Sequence, residues 1–73
     1  MHRLRHRIIL GEAIRAYRMK AGLSQEALAE RAQRSLNFVA EVERGNMECS
    51  VTSLLQIARG LKVPMASLVR KLN

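Results

Sequence analysis

The sequence predicts an all-α fold, a compact five-helix domain. Three observations point to it. Apolar residues recur three and four positions apart, as on one face of a helix, and no stretch alternates apolar with polar residues as a half-buried strand would. Serines stand just before three of these apolar runs, where a hydroxyl can cap a helix. Gly22, Gly45 and Pro64 fall between the runs and leave only short connections.

Each element follows in order. In the first helix Leu10, Ile14, Tyr17 and Ala21 share a face, and Gly22 takes the left-handed position that closes a helix. Ser24 caps the second helix, and Glu26 in its first turn favours the positive helix end. Leu28, Ala29 and Ala32 form its inner face. Ser35 caps the third helix, with Phe38, Val39 and Val42 inward and Gly45 after its end. Ser50 caps the fourth, with Leu54, Ile57, Ala58 and Leu61 inward; Gly60 weakens it by about 1 kcal/mol relative to Ala. Pro64 opens the fifth, where a missing N–H costs little. Met65, Leu68, Val69 and Leu72 then repeat at i, i+3, i+4 and i+7. Residues 1–7 read as a flexible basic N-terminal arm, and residues 8–73 as the helical domain.

Length and charge bound the function. A chain of 73 residues excludes a two-domain enzyme and makes a large substrate cavity unexpected. Thirteen Lys and Arg against six Glu give a net charge of +7. With 48% apolar residues this is no disordered basic tail. A folded domain so charged expects a polyanion, first of all nucleic acid; a basic domain that binds acidic proteins is the alternative. No apolar run approaches the roughly 18 residues of a membrane span. Ile8, Ile9 and Leu10 are too few for a secretory h-region. The single Cys49 excludes an intramolecular disulfide, and a cytoplasmic location is expected. No Ser-His-Asp, Cys-His or paired-carboxylate set is present, nor a Gly-rich phosphate loop. Hence no enzyme activity, cofactor or small-molecule substrate is expected.

The second and third helices are separated by only Gln33, Arg34 and Ser35. Two short helices with so tight a turn form either an ordinary helical corner or a helix-turn-helix, whose second helix enters the DNA major groove. Specific residues favour the latter. Leu10-Gly11-Glu12-Ala13-Ile14-Arg15, Arg18 and Ala21-Gly22-Leu23-Ser24-Gln25-Glu26-Ala27-Leu28-Ala29 open a pattern. Val39, Val42-Glu43-Arg44-Gly45, Ser50, Leu54, Leu55, Ile57-Ala58, Leu61 and Val63 continue it. The pattern resembles the Cro/C1-type, or XRE, helix-turn-helix family over residues 10–69. The resemblance implies a lambda-repressor-like DNA-binding domain of phage-repressor type, usually dimeric, in transcription regulators.

The resemblance also implies residue roles. Gln25, at the start of the second helix, would hold a phosphate with the helix N–H groups; otherwise it is a solvated first-turn residue. In the recognition helix, about residues 35–44, Leu36, Asn37 and Glu41 would face base edges. Asn37 can bond adenine bidentately, and Leu36 can touch a thymine methyl. Glu41 either accepts from a cytosine amino group or pairs with Arg44 or Arg34. Ser35, Arg34, Arg44 and Asn46 would lie along the DNA backbone. Phe38 sits either at the rim of the DNA surface or in the core. Arg18 and Glu43 would form a partly buried ion pair that orients the recognition helix.

Three departures from the family pattern bear on docking. Gln33 stands where the turn usually has glycine at positive φ, which costs other residues about 1–2 kcal/mol and could reshape the turn. Glu41 puts a carboxylate where a basic or neutral polar residue is usual. Glu48 and Cys49 replace residues that are commonly basic and proline. Arg3, Arg5 and Arg7 in the arm would compensate, in a minor groove or along phosphates. His2 and His6 lack further ligands, so no metal site is expected. Cys49 reads as a quiet thiol.

The expected function is therefore a sequence-specific regulator, a repressor, on double-stranded DNA. It would act as a homodimer on an inverted repeat, contacting its twin through Met65, Val69 and Leu72. The same residues could instead close the monomer's own core. The alternative function is a helix-turn-helix module used for protein interaction, kept open by Glu41, Glu43 and Glu48 near the expected DNA face.

Overall fold

Helix α1 spans His2–Lys20, α2 Gln25–Ala32, α3 Leu36–Glu43, α4 Val51–Leu61 and α5 Met65–Val69; a closing 3-10 turn covers Arg70–Leu72. This computed structural model describes the backbone of residues 2–72 and the side chains of residues 4–72. Among the described residues there is no strand.

Each expected serine cap forms. The hydroxyl of Ser24 accepts from the Ala27 N–H, that of Ser35 from Phe38 and that of Ser50 from Ser53, each at 3.0 Å. Each satisfies an N–H that the helix itself leaves without a partner. Inside, Ile14, Leu28, Val39, Val42, Ile57 and Leu68 are fully buried, so all five helices share one core. At about 1.5–3 kcal/mol per buried apolar side chain, this shared core is the main favourable term. Ala21 departs from the expected inner face: it lies beyond the end of α1 and is exposed.

The expected arm is the main correction. Residues 2–7 are the first turns of α1, helical where a flexible arm is expected. Neither Gly nor Pro interrupts residues 2–10, and the helix grows back from Leu10, which is buried in the core. Ile8 rests on Gly45, where an added Cβ would lie 2.9 Å from Ile8 Cγ1.

Further along α1, Gly11 lies directly against the end of α3. A Cβ there would stand 2.4 Å from the Val42 carbonyl oxygen and 2.7 Å from that of Glu43. Only a glycine allows these two backbones to meet.

The α2–α3 turn keeps its left-handed geometry without glycine. Gln33 has φ 59° and ψ 41°. Its N–H reaches the Glu30 carbonyl at 3.2 Å, and the Arg34 N–H reaches that of Ala29 at 2.9 Å. These bonds close α2 and hold the Gln33 backbone in a region that L-residues otherwise avoid.

Candidate nucleic-acid interface

Helix α3 is presented by its two ends. At its start, Ser35 caps the helix while Leu36 and Asn37 face solvent; Leu36 is 48% exposed. An exposed Leu beside an exposed Asn in a first helical turn places an apolar and an amide contact where a major groove can be read. Inward, Phe38, Val39 and Val42 are buried, so α3 cannot rotate about its axis without exposing them. Phe38 thus takes the core reading rather than the rim.

At the other end, the Glu41 carboxylate is engaged inside the chain. It accepts from the Arg44 guanidinium and, at 3.3 Å, from the Asn46 amide. Three side chains expected on DNA therefore neutralise or bond one another. Arg44 and Asn46 remain exposed.

Behind α3 lies a buried ion pair. Arg18 Nε meets Glu43 Oε2 at 2.6 Å, and a second guanidinium nitrogen reaches Oε1 at 3.1 Å. Arg18 also donates to the Leu23 carbonyl at 2.7 Å. The two side chains are only 11% and 3% exposed. Bidentate, desolvated and further hydrogen-bonded, this pair is of the kind whose geometry fixes one arrangement. Gln25 joins it: its amide donates to Glu43 Oε1 at 2.9 Å. Gln25 was expected on phosphate; here its amide closes the ion pair, and its residue is half-buried at the start of α2.

Arg34 is placed differently from expectation. Its guanidinium turns away from the α3 surface toward α4, donating to the Ser53 hydroxyl and, at 3.2 Å, to Gln56 Oε1. It also stacks on the Phe38 ring, 3.7 Å from the centroid. Ser53 is buried, so its hydroxyl needs a partner, and Arg34 supplies it; the sequence carries no local signal for this cluster.

The remaining expected residues are scattered. Arg5 is exposed on α1. Arg7 is half-buried, its Nε without a hydrogen-bond partner among the described residues, in a hollow of about 170 Å³ lined also by Leu10, Cys49 and Leu72. The side chains of His2 and Arg3 lie outside the described residues. Cys49 is half-buried; burial pushes its thiol pKa up, against the opposing pull of the Arg34 charge. No group of three or more metal-ligating side chains occurs among the described residues. No helix there is long and apolar enough to cross a membrane. Met65, Val69 and Leu72, expected at a dimer interface, are each partly covered by the core of their own chain. Val51 and Leu55 on α4 are more exposed, at 67% and 41%.

Comparison with known proteins fits this geometry. A family model described as a helix-turn-helix domain matches residues 9–72. The transcriptional regulator ClgR of Mycobacterium tuberculosis is 32% identical over 60 residues, covering 82% of this chain and 54% of that protein. The chain thus spans about half the length of this curated relative. The crystal structure of the restriction-modification controller protein C.AhdI from Aeromonas hydrophila superposes with a TM-score of 0.84 at 32% identity, covering 85% of this chain and 94% of that one. The clp gene regulator ClgR from C. glutamicum superposes at 0.85 with 30% identity, over 90% and 86% of the two chains. The same fold thus recurs in a restriction-modification controller protein and in a clp gene regulator, and the chain belongs to the helix-turn-helix domain family.

Proposed function

We propose that the protein is a sequence-specific double-stranded DNA-binding regulator that represses transcription as a homodimer on an inverted repeat. The observation that carries this reading is the first turn of α3. There Leu36 and Asn37 stand free of the core on a helix fixed against α2 by a three-residue turn. A net charge of +7 supplies the general attraction to phosphate.

In this reading α3 lies in the major groove, with Asn37 and Leu36 on base edges. Ser35, the α2 N-terminus at Gln25, Arg44 and Asn46 meet the flanking backbone. Arg44 and Asn46 reach phosphate by leaving the Glu41 carboxylate, which either stays unpaired or accepts from a cytosine amino group. Arg3, Arg5 and Arg7 add basic charge toward a minor groove or phosphates. Met65, Val69 and Leu72 supply the twofold contact from their uncovered surface. The site is that of a binding protein acting in the cytoplasm, with no catalytic step and no small-molecule substrate.

Selection from randomised ~30-bp duplexes at about 150 mM salt tests the proposal, since that length holds two half-sites one turn apart. An enriched inverted repeat is the expected result. Enrichment of a single half-site removes the dimer. Recovery without any motif removes sequence recognition and favours a protein-interaction module, the reading that the internally neutralised Glu41–Arg44 pair supports.

A further inference from the structure

We infer that Arg34 is a positioning residue, which sets the angle of α3 through α4 and does not bind phosphate. The inference rests on α3 being the DNA-reading helix. Arg34 is the second residue of the α2–α3 turn, directly after left-handed Gln33 and directly before the Ser35 cap. Its backbone N–H closes α2 on Ala29. Its side chain then spans to the first turns of α4.

Three contacts hold it there. The guanidinium donates to Ser53 and Gln56, which lie one turn apart on α4. Its plane lies on Phe38, in the first turn of α3. Ser53 is 7% exposed and also accepts from Ser50, the α4 cap, at 3.0 Å. One cation thus joins the end of α2, the first turn of α3 and the capped start of α4.

The chemistry suits arginine. Both hydrogen bonds leave one guanidinium nitrogen, Nη1, while the guanidinium carbon lies over the Phe38 ring. A lysine ammonium keeps the charge and has donors for both acceptors, but has no flat guanidinium face to lay on the ring. A guanidinium held this way would lose two hydrogen bonds and a ring contact on turning to phosphate. Leu36 and Asn37 directly follow the cap, so their direction depends on how Phe38 and the turn are held.

The test compares Arg34→Met, Arg34→Lys and Ser53→Ala in the full chain. Binding is measured to a selected duplex and to a random duplex across a salt series. Hydrogen exchange of the Leu36–Glu43 amides is measured without DNA. The expected result is a roughly tenfold loss on the selected duplex, the size of one lost base contact, with random-duplex affinity and the salt slope unchanged. Exchange in α3 should accelerate in all three variants. Combining Arg34→Met with Ser53→Ala should be no worse than either alone. Equal weakening on every duplex with the slope reduced by about 0.9 would make Arg34 a phosphate ligand and overturn the inference. Unchanged α3 exchange would overturn it as well. If the parent protein binds no duplex, the DNA reading fails by itself, and α3 exchange in Ser53→Ala still decides the positioning role.

Discussion

Glu41 and Arg44 close on each other at the C-terminal end of α3, carboxylate to guanidinium, on the face expected to meet DNA. The pair is exposed, with side chains 28% and 61% accessible, so it adds about 0–1 kcal/mol to stability. On the proposed reading its larger effect is on binding, because it would withhold a positive charge from phosphate. Glu41→Gln should raise affinity for random duplex several-fold and steepen the salt slope by about 0.9, one further phosphate contact. Fluorescence anisotropy across a salt series reads both. An unchanged slope would show that Arg44 never reaches the backbone.

Glu43→Ala should be far more severe. It leaves Arg18 without its carboxylate in a nearly dry site and removes the acceptor of Gln25. Breaking such a buried pair costs about 3–5 kcal/mol, much of the stability of a chain this small. Urea unfolding followed by circular dichroism measures it. Replacing both partners by apolar residues of similar volume, as in Arg18→Met with Glu43→Leu, should recover most of the loss.

Asn37→Ala separates reading from holding. The side chain is exposed and makes no packing contact with the core, so stability should stay within about 0.5 kcal/mol. Affinity for a selected duplex should fall by about 1–3 kcal/mol while that for random DNA stays level. Equal losses on both would remove Asn37 as a base reader.

Two glycines inside helices should respond differently to alanine. At Gly11 the new methyl meets the backbone carbonyls of Val42 and Glu43, and a loss of about 1–3 kcal/mol is expected. At Gly60 the nearest atoms are Leu28 Cδ1 at 3.0 Å, the end of a core side chain, and the Ala32 backbone nitrogen at 3.3 Å. There the helix-propensity gain of about 1 kcal/mol offsets part of the milder crowding, and Gly60→Ala should lose less than Gly11→Ala. Thermal unfolding of the two variants compares them directly.

Cys49 should alkylate slowly. Burial raises its thiol pKa, so at neutral pH the folded chain holds less thiolate than an unfolded one. The rate should climb to a higher pH in native protein than in denaturant. Since the folded pKa exceeds the unfolded one, this group's contribution to stability is complete below the unfolded value. It falls as pH rises from there through the folded value. A native rate profile matching that in denaturant would contradict the burial.

Much of this molecule was legible in local pattern. Ser24, Ser35 and Ser50 cap as read, because a cap depends only on residues within one turn. The inner faces of α2, α3 and α4 follow helical spacing, and the Arg18–Glu43 pair forms where the family resemblance implied it. Less legible were two long polar side chains and one helix end. Arg34 and Gln25 each had solvent and an internal partner in reach, and only tertiary placement of Ser53 and Glu43 decides between them. The start of α1 carries no cap signal and, apart from Leu4, is basic from His2 through Arg7. Charge there suggested an arm, while the absence of any helix breaker allowed α1 to run on.

The contact between Gly11 and the last carbonyls of α3 gives the domain a hinge-free joint. Where two main chains touch, there is no side chain to trim or swell, and thus no graded way for substitution to retune the crossing of α1 and α3. Leu36 and Asn37, exposed in the first turn of α3, take no part in that joint. On the proposed reading, frame and message are therefore separable: new recognition preferences would enter through these surface positions while the chassis stays unchanged.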